Sequence, residues 1–113
     1  METLLALDPP PTAVIAFNDI MAYGAMHVIY QHGLRIPDDI SVIGFDDIPT
    51  SAYIIPPLTT VALPTHRMGQ LAMHLIRRIQ AGEDMRTAEP IILESPLVIR
   101  ESTGPAQDNK VAK

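Results

Sequence analysis

The chain has 113 residues, a formal net charge of −5 and no cysteine. This length allows at most one small domain, and the acidic balance leaves no electrostatic footprint for nucleic acid. The lack of cysteine excludes disulfides, thiolate nucleophiles and cysteine metal sites. No apolar run approaches the roughly 18 residues of a membrane span, so we expect no membrane partner and a cytoplasmic location.

The lysines of the chain, Lys110 and Lys113, both lie close to its end. The body of the chain therefore lacks the lysine that a phosphate-binding loop, a Schiff-base enzyme or a phospho-acceptor receiver domain requires. This absence argues against most kinds of phosphoryl-transfer and amine chemistry.

The first half of the chain predicts a strand followed by a helix. Residues 2–7 have the pattern of the last turns of a helix, and three prolines then enforce an extended segment. Residues 12–17 are an apolar run typical of a buried strand. Either Asn18 or Asp19 can cap the helix that is predicted from Ile20 to His32, because each offers a side-chain oxygen to an unpaired backbone N–H.

A second apolar run, residues 41–45, predicts another buried strand, which ends abruptly on Asp46 and Asp47. The strand, helix and strand form a right-handed unit with parallel strands. In open α/β sheets the ligand crevice lies just beyond the carboxyl ends of such strands. The two acids are therefore placed where a binding site is expected.

The second half predicts one helical turn within residues 49–53 and strands at 58–61, 90–94 and 97–100. Thr65 has the position of an N-cap for the clearest helix in the chain. Its apolar residues recur at helical spacing and form one stripe, consisting of Met68, Leu71, Ala72, Leu75, Ile76 and Ile79. Gly82 is expected to end this helix.

Short motifs along most of the chain resemble the carboxyl-terminal portion of LacI/GalR-type transcriptional regulators. The motifs are Pro11–Ala13, Phe17–Asp19, Ile36–Asp47, Pro56–Val61, Met68–Gly69 and Arg100–Thr103. Full-length members of that family resemble one another in having an amino-terminal helix-turn-helix, a hinge helix and a two-subdomain sensor. The resemblance implies an α/β fold, namely part of a periplasmic-binding-protein-like (type I) three-layer α/β sandwich with parallel strands.

The resemblance also implies a domain organisation. Residues 1–104 would be the carboxyl-terminal portion of the effector-sensing domain, with 12–61 and 97–103 in the subdomain farther from DNA and 65–94 in the nearer one. Residues 105–113 would be a disordered tail. The chain contains no helix-turn-helix, so operator DNA would be contacted only through an amino-terminal domain outside it.

The resemblance assigns a ligand-contacting carboxylate to Asp46, where a sugar or a related metabolite could offer two hydroxyls or ring N–H groups. The alternative is that Asp46 lies in a solvated turn and has no role in binding. Asp47 is expected to be structural, capping the following turn. Asn18 resembles a second effector contact but is equally a plain N-cap, and Thr65 either lines the cleft or serves only as an N-cap.

A homodimer is expected, with or without elements exchanged between the two chains. The candidate residues are Tyr23, Met26, Tyr30 and Tyr53, which are either core or subunit-interface residues, and the resemblance favours the interface for those that face outward. By the resemblance, the helix after Thr65 has lost most of its own sheet. Its apolar stripe therefore predicts that the chain dimerises, exchanges elements or rearranges.

The histidines do not predict a metal site, because no two of them have the i, i+4 spacing with a helical acid that zinc sites show. They are His27, His32, His66 and His74. We interpret them as surface or packing residues and expect neither a metal nor another cofactor. Arg100 is expected to tie the last strand to neighbouring carbonyls or acids.

The leading hypothesis is thus not an enzyme but the effector-binding and dimerisation portion of a transcriptional repressor. An extracytoplasmic sugar-binding protein of the same fold is the alternative. A receiver-like magnesium site at Asp46 and Asp47 is the enzymatic alternative, and the missing lysine argues against it.

Overall fold

The structure is a computed structural model that describes residues 1–85 and 88–106. The chain divides into two units. Unit 1 contains Met1–Ala62 and the segment that begins at Leu97, and unit 2 contains Leu63–Pro96. The tail predicted over 105–113 lies outside the described residues from position 107 onward. No helix among the described residues is long and apolar enough to cross a membrane.

Unit 1 is built on one four-stranded sheet with the order β1-β2-β3-β4. The strands are β1 (Ala13–Ile15), β2 (Ser41–Asp46), β3 (Thr59–Ala62) and β4 (Leu97–Val98). The first three are parallel neighbours, and β4 pairs antiparallel with β3. The predicted α/β architecture with parallel strands is therefore confirmed, and the carboxyl ends of β1 to β3 share one edge.

Two helices flank β1 in sequence, α1 (Glu2–Leu5) and α2 (Asp19–Gln31). The α2 helix packs on β2 and covers one face of the sheet. Its end follows the sequence prediction, since Gly33 has a φ of 72°, a left-handed conformation that glycine adopts without strain. The predicted turn near residue 50 is a 3-10 helix over Pro49–Ala52.

The core of unit 1 lies between α2 and the sheet. It consists of Ala22, Met26, Ile29, Ile36, Ile40, Val42 and Leu58. The α2 residues of this set recur at helical spacing, as expected for a helix that buries one stripe against a sheet. On the opposite face of the sheet, Ile15 and Phe45 are exposed.

In the described part of unit 2 the helix is α3 (Thr65–Gln80), and none of its residues is buried. The prediction that Thr65 is the N-cap is wrong: Pro64 occupies that position, and the amide of Met68 already donates to the carbonyl of Pro64 at 2.9 Å. Helical hydrogen bonding thus begins one residue earlier than predicted. Gly82, with a φ of 89°, follows the helix end as expected.

The predicted strand over residues 90–94 is also wrong, because these residues have no strand conformation. A strand needs a neighbour for its backbone groups, and the described part of unit 2 contains none. Instead, Ile91 and Leu93 line an apolar groove of about 380 Å³ together with the α3 stripe.

Candidate functional site

The turn after β2 has an unusual backbone conformation at both of its acids. Asp46 has a φ of 113° and Asp47 a φ of 54°. Residues other than glycine adopt such angles at a cost of about 1–3 kcal/mol each, and they do so where surrounding groups hold them. The groups around this turn therefore decide where the two carboxylates are presented.

Asp47 is held by an ion pair inside unit 1. Its Oδ1 accepts a hydrogen bond from Nη2 of Arg100 at 2.6 Å, and Nη1 of Arg100 donates to the carbonyl of Leu58 at 2.8 Å. Asp47 is therefore structural, although it acts through Arg100 and does not cap the turn, whose N-cap is Ile48. The predicted role of Arg100 in tying down the last segment is confirmed.

Asp46 differs from its neighbour. It is half-buried at the carboxyl end of β2, and its carboxylate accepts no hydrogen bond from the described part of the chain. Its oxygens are therefore open to an external donor. Of the two adjacent acids, Asp47 is bonded within the fold and the carboxylate of Asp46 is not.

Asn18 lies at the same edge of the sheet, because β1 and β2 are parallel and the Ala16 amide continues their pairing by donating to Ile43 at 2.8 Å. Its Oδ1 accepts a hydrogen bond from the Met21 amide at 2.8 Å, which makes Asn18 the N-cap of α2. The cap leaves the side-chain amide group able to donate elsewhere. Both roles proposed for Asn18 are thus compatible.

Asp19 is a residue whose role the sequence reasoning missed. It is 0% exposed, and its Oδ2 accepts hydrogen bonds from the Ile48 amide at 3.0 Å and from the Ser51 hydroxyl at 2.5 Å. Its Oδ1 accepts one from the Thr60 hydroxyl at 2.5 Å. The buried carboxylate thus joins the start of α2, the turn after β2 and strand β3.

The sequence carried one signal of this buried carboxylate. Gly44 stands in the middle of β2, and a glycine in a strand often marks the close approach of another group. A Cβ at this position would lie 2.2 Å from Oδ1 of Asp19 and 2.7 Å from Cδ2 of Leu58. The glycine therefore leaves the space that Asp19 occupies.

Comparison with known proteins identifies the family. A family model described as "Periplasmic binding protein-like domain" matches residues 1–103. The chain belongs to this family. It is similar to "Probable HTH-type transcriptional repressor ExuR" of Bacillus subtilis (strain 168), with 50% identity over 90% of this chain and 30% of the relative. The chain thus spans about a third of the length of this relative.

Solved structures of LacI-type regulators resemble it as well. A LacI family transcriptional regulator from Enterococcus faecalis V583 with bound ribose is 35% identical, with a TM-score of 0.78 over 92% of this chain and 38% of that one. A lac repressor dimer bound to operator and the anti-inducer ONPF is 39% identical, with a TM-score of 0.74 over 82% and 32%. The resemblance to LacI-type regulators and the periplasmic-binding-protein-like fold are both confirmed.

The four predicted interface residues lie in different surroundings. Met26 is only 4% exposed and belongs to the core, so the interface expectation does not extend to it. Tyr53 is 84% exposed, whereas Tyr30 donates a hydrogen bond to the carbonyl of Ile55 at 3.1 Å. Burial raises the pKa of the Tyr30 phenol. An interface at Tyr23, Tyr30 and Tyr53 stays a prediction.

Thr65 is exposed at the start of α3 in unit 2, and its contribution to a cleft stays a prediction. Two of the histidines make local contacts. His32 lies 3.1 Å from the carboxylate of Glu2, and His66 lies 3.0 Å from the side-chain amide of Gln70. Within residues 1–85 and 88–106, no group of three or more His, Asp or Glu side chains could hold a metal ion.

Proposed function

We propose that this chain is the effector-binding and dimerisation segment of a LacI-type transcriptional repressor, and that it binds a sugar at the carboxyl edge of the sheet. The observation that carries the proposal is the contrast between Asp47, which is paired with Arg100, and Asp46, whose carboxylate is open. The names of the similar repressors support the regulatory role, and the ribose-bound relative supports a sugar.

A carboxylate at this edge suits a sugar because its two oxygens accept hydrogen bonds from neighbouring hydroxyl groups. The Asn18 amide at the end of the adjacent strand adds a donor for a hydroxyl oxygen. Together they form one wall of a polar site of the kind that α/β folds place beyond their strand ends.

The partners follow from the same proposal. The chain itself is acidic, so operator DNA is contacted through a separate DNA-binding domain of the whole protein. A repressor that binds operator DNA acts in the cytoplasm, and this is the proposed location of the whole protein. Two copies associate through the surface that carries Tyr23, Tyr30 and Tyr53. Effector binding changes the angle between the sensor subdomains and thereby the spacing of two DNA-binding heads.

A chimera tests the regulatory role. The matching part of the Bacillus subtilis relative is replaced by residues 1–103 of this chain, and repression of a reporter behind the operator of that relative is measured. We expect the chimera to dimerise and to repress the reporter. One member of a panel containing D-ribose, other pentoses, hexoses and the disaccharide lactose should relieve this repression.

The matched variant of the chimera carries Asp46→Asn, which keeps the shape of the side chain and removes its charge. It should repress the reporter as the parent chimera does, but the sugar should no longer relieve repression. A folded chimera that does not repress contradicts the regulatory role, and relief that is unchanged in Asp46→Asn contradicts the assignment of Asp46.

A further inference from the structure

The buried carboxylate of Asp19 stabilises the turn that carries Asp46. Two consecutive residues with positive φ, Asp46 and Asp47, do not keep that conformation by local preference. The ladder between β2 and β3 fixes the chain up to Asp46. The groups that fix the chain after Asp46 therefore determine where its carboxylate points.

Asp19 holds the backbone amides of the two residues that follow Asp46. The Ile48 amide donates directly to Oδ2 of Asp19 at 3.0 Å. The Asp47 amide donates to the Thr60 hydroxyl at 3.4 Å, and that hydroxyl donates to Oδ1 of Asp19 at 2.5 Å. One buried side chain thus holds two successive amides of the turn, one directly and one through Thr60.

The far end of the turn depends on the same carboxylate. The Ser51 hydroxyl uses its only hydrogen to donate to Asp19, so the Tyr23 hydroxyl, 2.8 Å away, must donate to Ser51. The Thr50 hydroxyl then donates to Tyr23 at 2.9 Å. This directed chain of hydroxyl groups ends on Asp19, which therefore orients the entire segment from Asp47 to Ser51.

We propose that Asp19 is a positioning residue for sugar recognition, which holds the turn so that the Asp46 carboxylate remains free and aimed at the ligand. The proposal rests on the proposed sugar-binding role of Asp46. Asp19 lies in the first turn of α2, where the helix dipole favours its negative charge. Asp19 is itself 0% exposed, so it acts through the turn and does not contact the sugar.

A purely structural role for Asp19 would lower the stability of the whole unit without a special effect on the turn. Amide hydrogen exchange separates the two roles, because it reports each backbone N–H individually. The Val42 amide, which donates to the carbonyl of Ser102 at 2.8 Å, reports opening of the core. The Ser51 amide, which donates to the carbonyl of Ile48 at 2.9 Å and does not bond to Asp19, reports opening of the turn, so the ratio of the two exchange rates is the quantity to measure.

The first experiment measures this ratio in the ligand-free chain for Asp19→Ala, with Ile29→Val as a control that weakens the core away from the turn. We expect exchange at the Ser51 amide relative to the Val42 amide to rise by about tenfold or more in Asp19→Ala and to change by less than about twofold in Ile29→Val. An unchanged ratio in Asp19→Ala overturns the positioning role.

The second experiment follows D-ribose binding by NMR and compares a matched pair of substitutions at Thr60. Thr60→Val removes the hydroxyl at nearly the same size, and Thr60→Ser keeps it. We expect Thr60→Val to weaken D-ribose binding by about tenfold and Thr60→Ser to stay within about twofold of the parent. This pair of variants also tests the positioning role of Asp19 if Asp19→Ala does not fold.

The outcomes distinguish the inference from the function on which it rests. Unchanged D-ribose affinity in Thr60→Val, together with a loss of affinity in Asp46→Asn, overturns the positioning role and leaves the proposed function standing. Unchanged affinity in Asp46→Asn overturns the proposed function, and the sugar-related part of the inference fails with it.

Discussion

The helices α2 and α3 differ in what their apolar residues contact. In α2, Ala22, Met26 and Ile29 are buried against the sheet of unit 1. In α3, which has the more regular apolar stripe in the sequence, no residue is buried, and Ile79 is 56% exposed. Helical spacing thus specifies a helix and its apolar face, but the cover for that face must come from another part of the structure.

The difference gives the two units different expected stabilities. Burial of apolar surface is the main favourable term in folding, and unit 1 contains the whole buried core of the described residues. In the proposed repressor, the α3 stripe is a surface for a further part of the protein or for a second subunit. Unit 1 should therefore resist local unfolding more strongly than α3 does.

The largest expected effect comes from truncating the same residue type in both helices. Ile29→Ala leaves a cavity in the core and should lower the free energy of unfolding by about 2–5 kcal/mol. Ile79→Ala, at an exposed position, should change it by no more than about 0.5 kcal/mol. Urea unfolding of the two variants measures both values, and equal losses would break the contrast between the helices.

A pair of glycine substitutions sharpens the account of the interior of unit 1. Gly44→Ala introduces a Cβ that collides with Asp19 and Leu58, and should lower the free energy of unfolding by about 1–3 kcal/mol. The control is Gly24→Ala on α2, where the new Cβ would meet no heavy atom within 4 Å beyond its chain neighbours and the nearby backbone of the helix. It should raise stability by up to about 1 kcal/mol. Thermal unfolding measures both changes in stability. An unchanged stability of Gly44→Ala would refute the close approach of Asp19 and Leu58 to Gly44.

The tether from Arg100 to Asp47 and to the carbonyl of Leu58 should have an intermediate effect on stability. Arg100→Met removes the hydrogen bonds to Asp47 and to the Leu58 carbonyl, which should cost about 1–2 kcal/mol. Arg67→Met on the exposed surface of α3 makes the same charge change and should leave stability within about 0.5 kcal/mol of the parent. Equal effects in chemical denaturation would mean that the ion pair does not anchor the segment.

The smallest expected effect is a pH dependence on the surface of unit 1. Hydrogen bonds from Arg35 hold the pKa of Asp39 below its ordinary value. A lowered folded-state pKa stabilises the protein above the ordinary pKa of aspartate, and this stability is lost as the pH falls through the lowered value. NMR titration of the Asp39 carboxyl should give a midpoint that rises in Arg35→Gln, and an unchanged midpoint would exclude the pair.

Much of the fold could be predicted because its signals are local. Apolar runs gave the strands β1 to β3, and periodicity together with Gly33 and Gly82 gave the helices and their ends. The prediction of a strand over residues 90–94 failed for a non-local reason: the apolar residues of this segment line a groove beside α3, and the described part of unit 2 offers no strand for pairing. A sequence pattern does not state whether a pairing partner is present.

The candidate site divides in the same way. Asp46 could be singled out because it follows a buried strand, and Asn18 because it precedes a helix. The buried role of Asp19 depends on Ile48, Ser51 and Thr60, which are 29, 32 and 41 residues away in the sequence. Only the fold brings these donors together, so the sequence showed no more of this cluster than the glycine that makes room for it.

The most direct test of the account is a sugar titration of the 113-residue chain followed by NMR at Asn18, Asp46 and Asp47, with D-ribose and lactose as the first probes. The sugar-induced shifts should be concentrated at the carboxyl edge of the sheet and should disappear in Asp46→Asn. They should persist in Asp8→Asn, which makes the same charge change before β1. Sugar-induced shifts that remain unchanged in Asp46→Asn would contradict the claim that this carboxylate recognises the ligand.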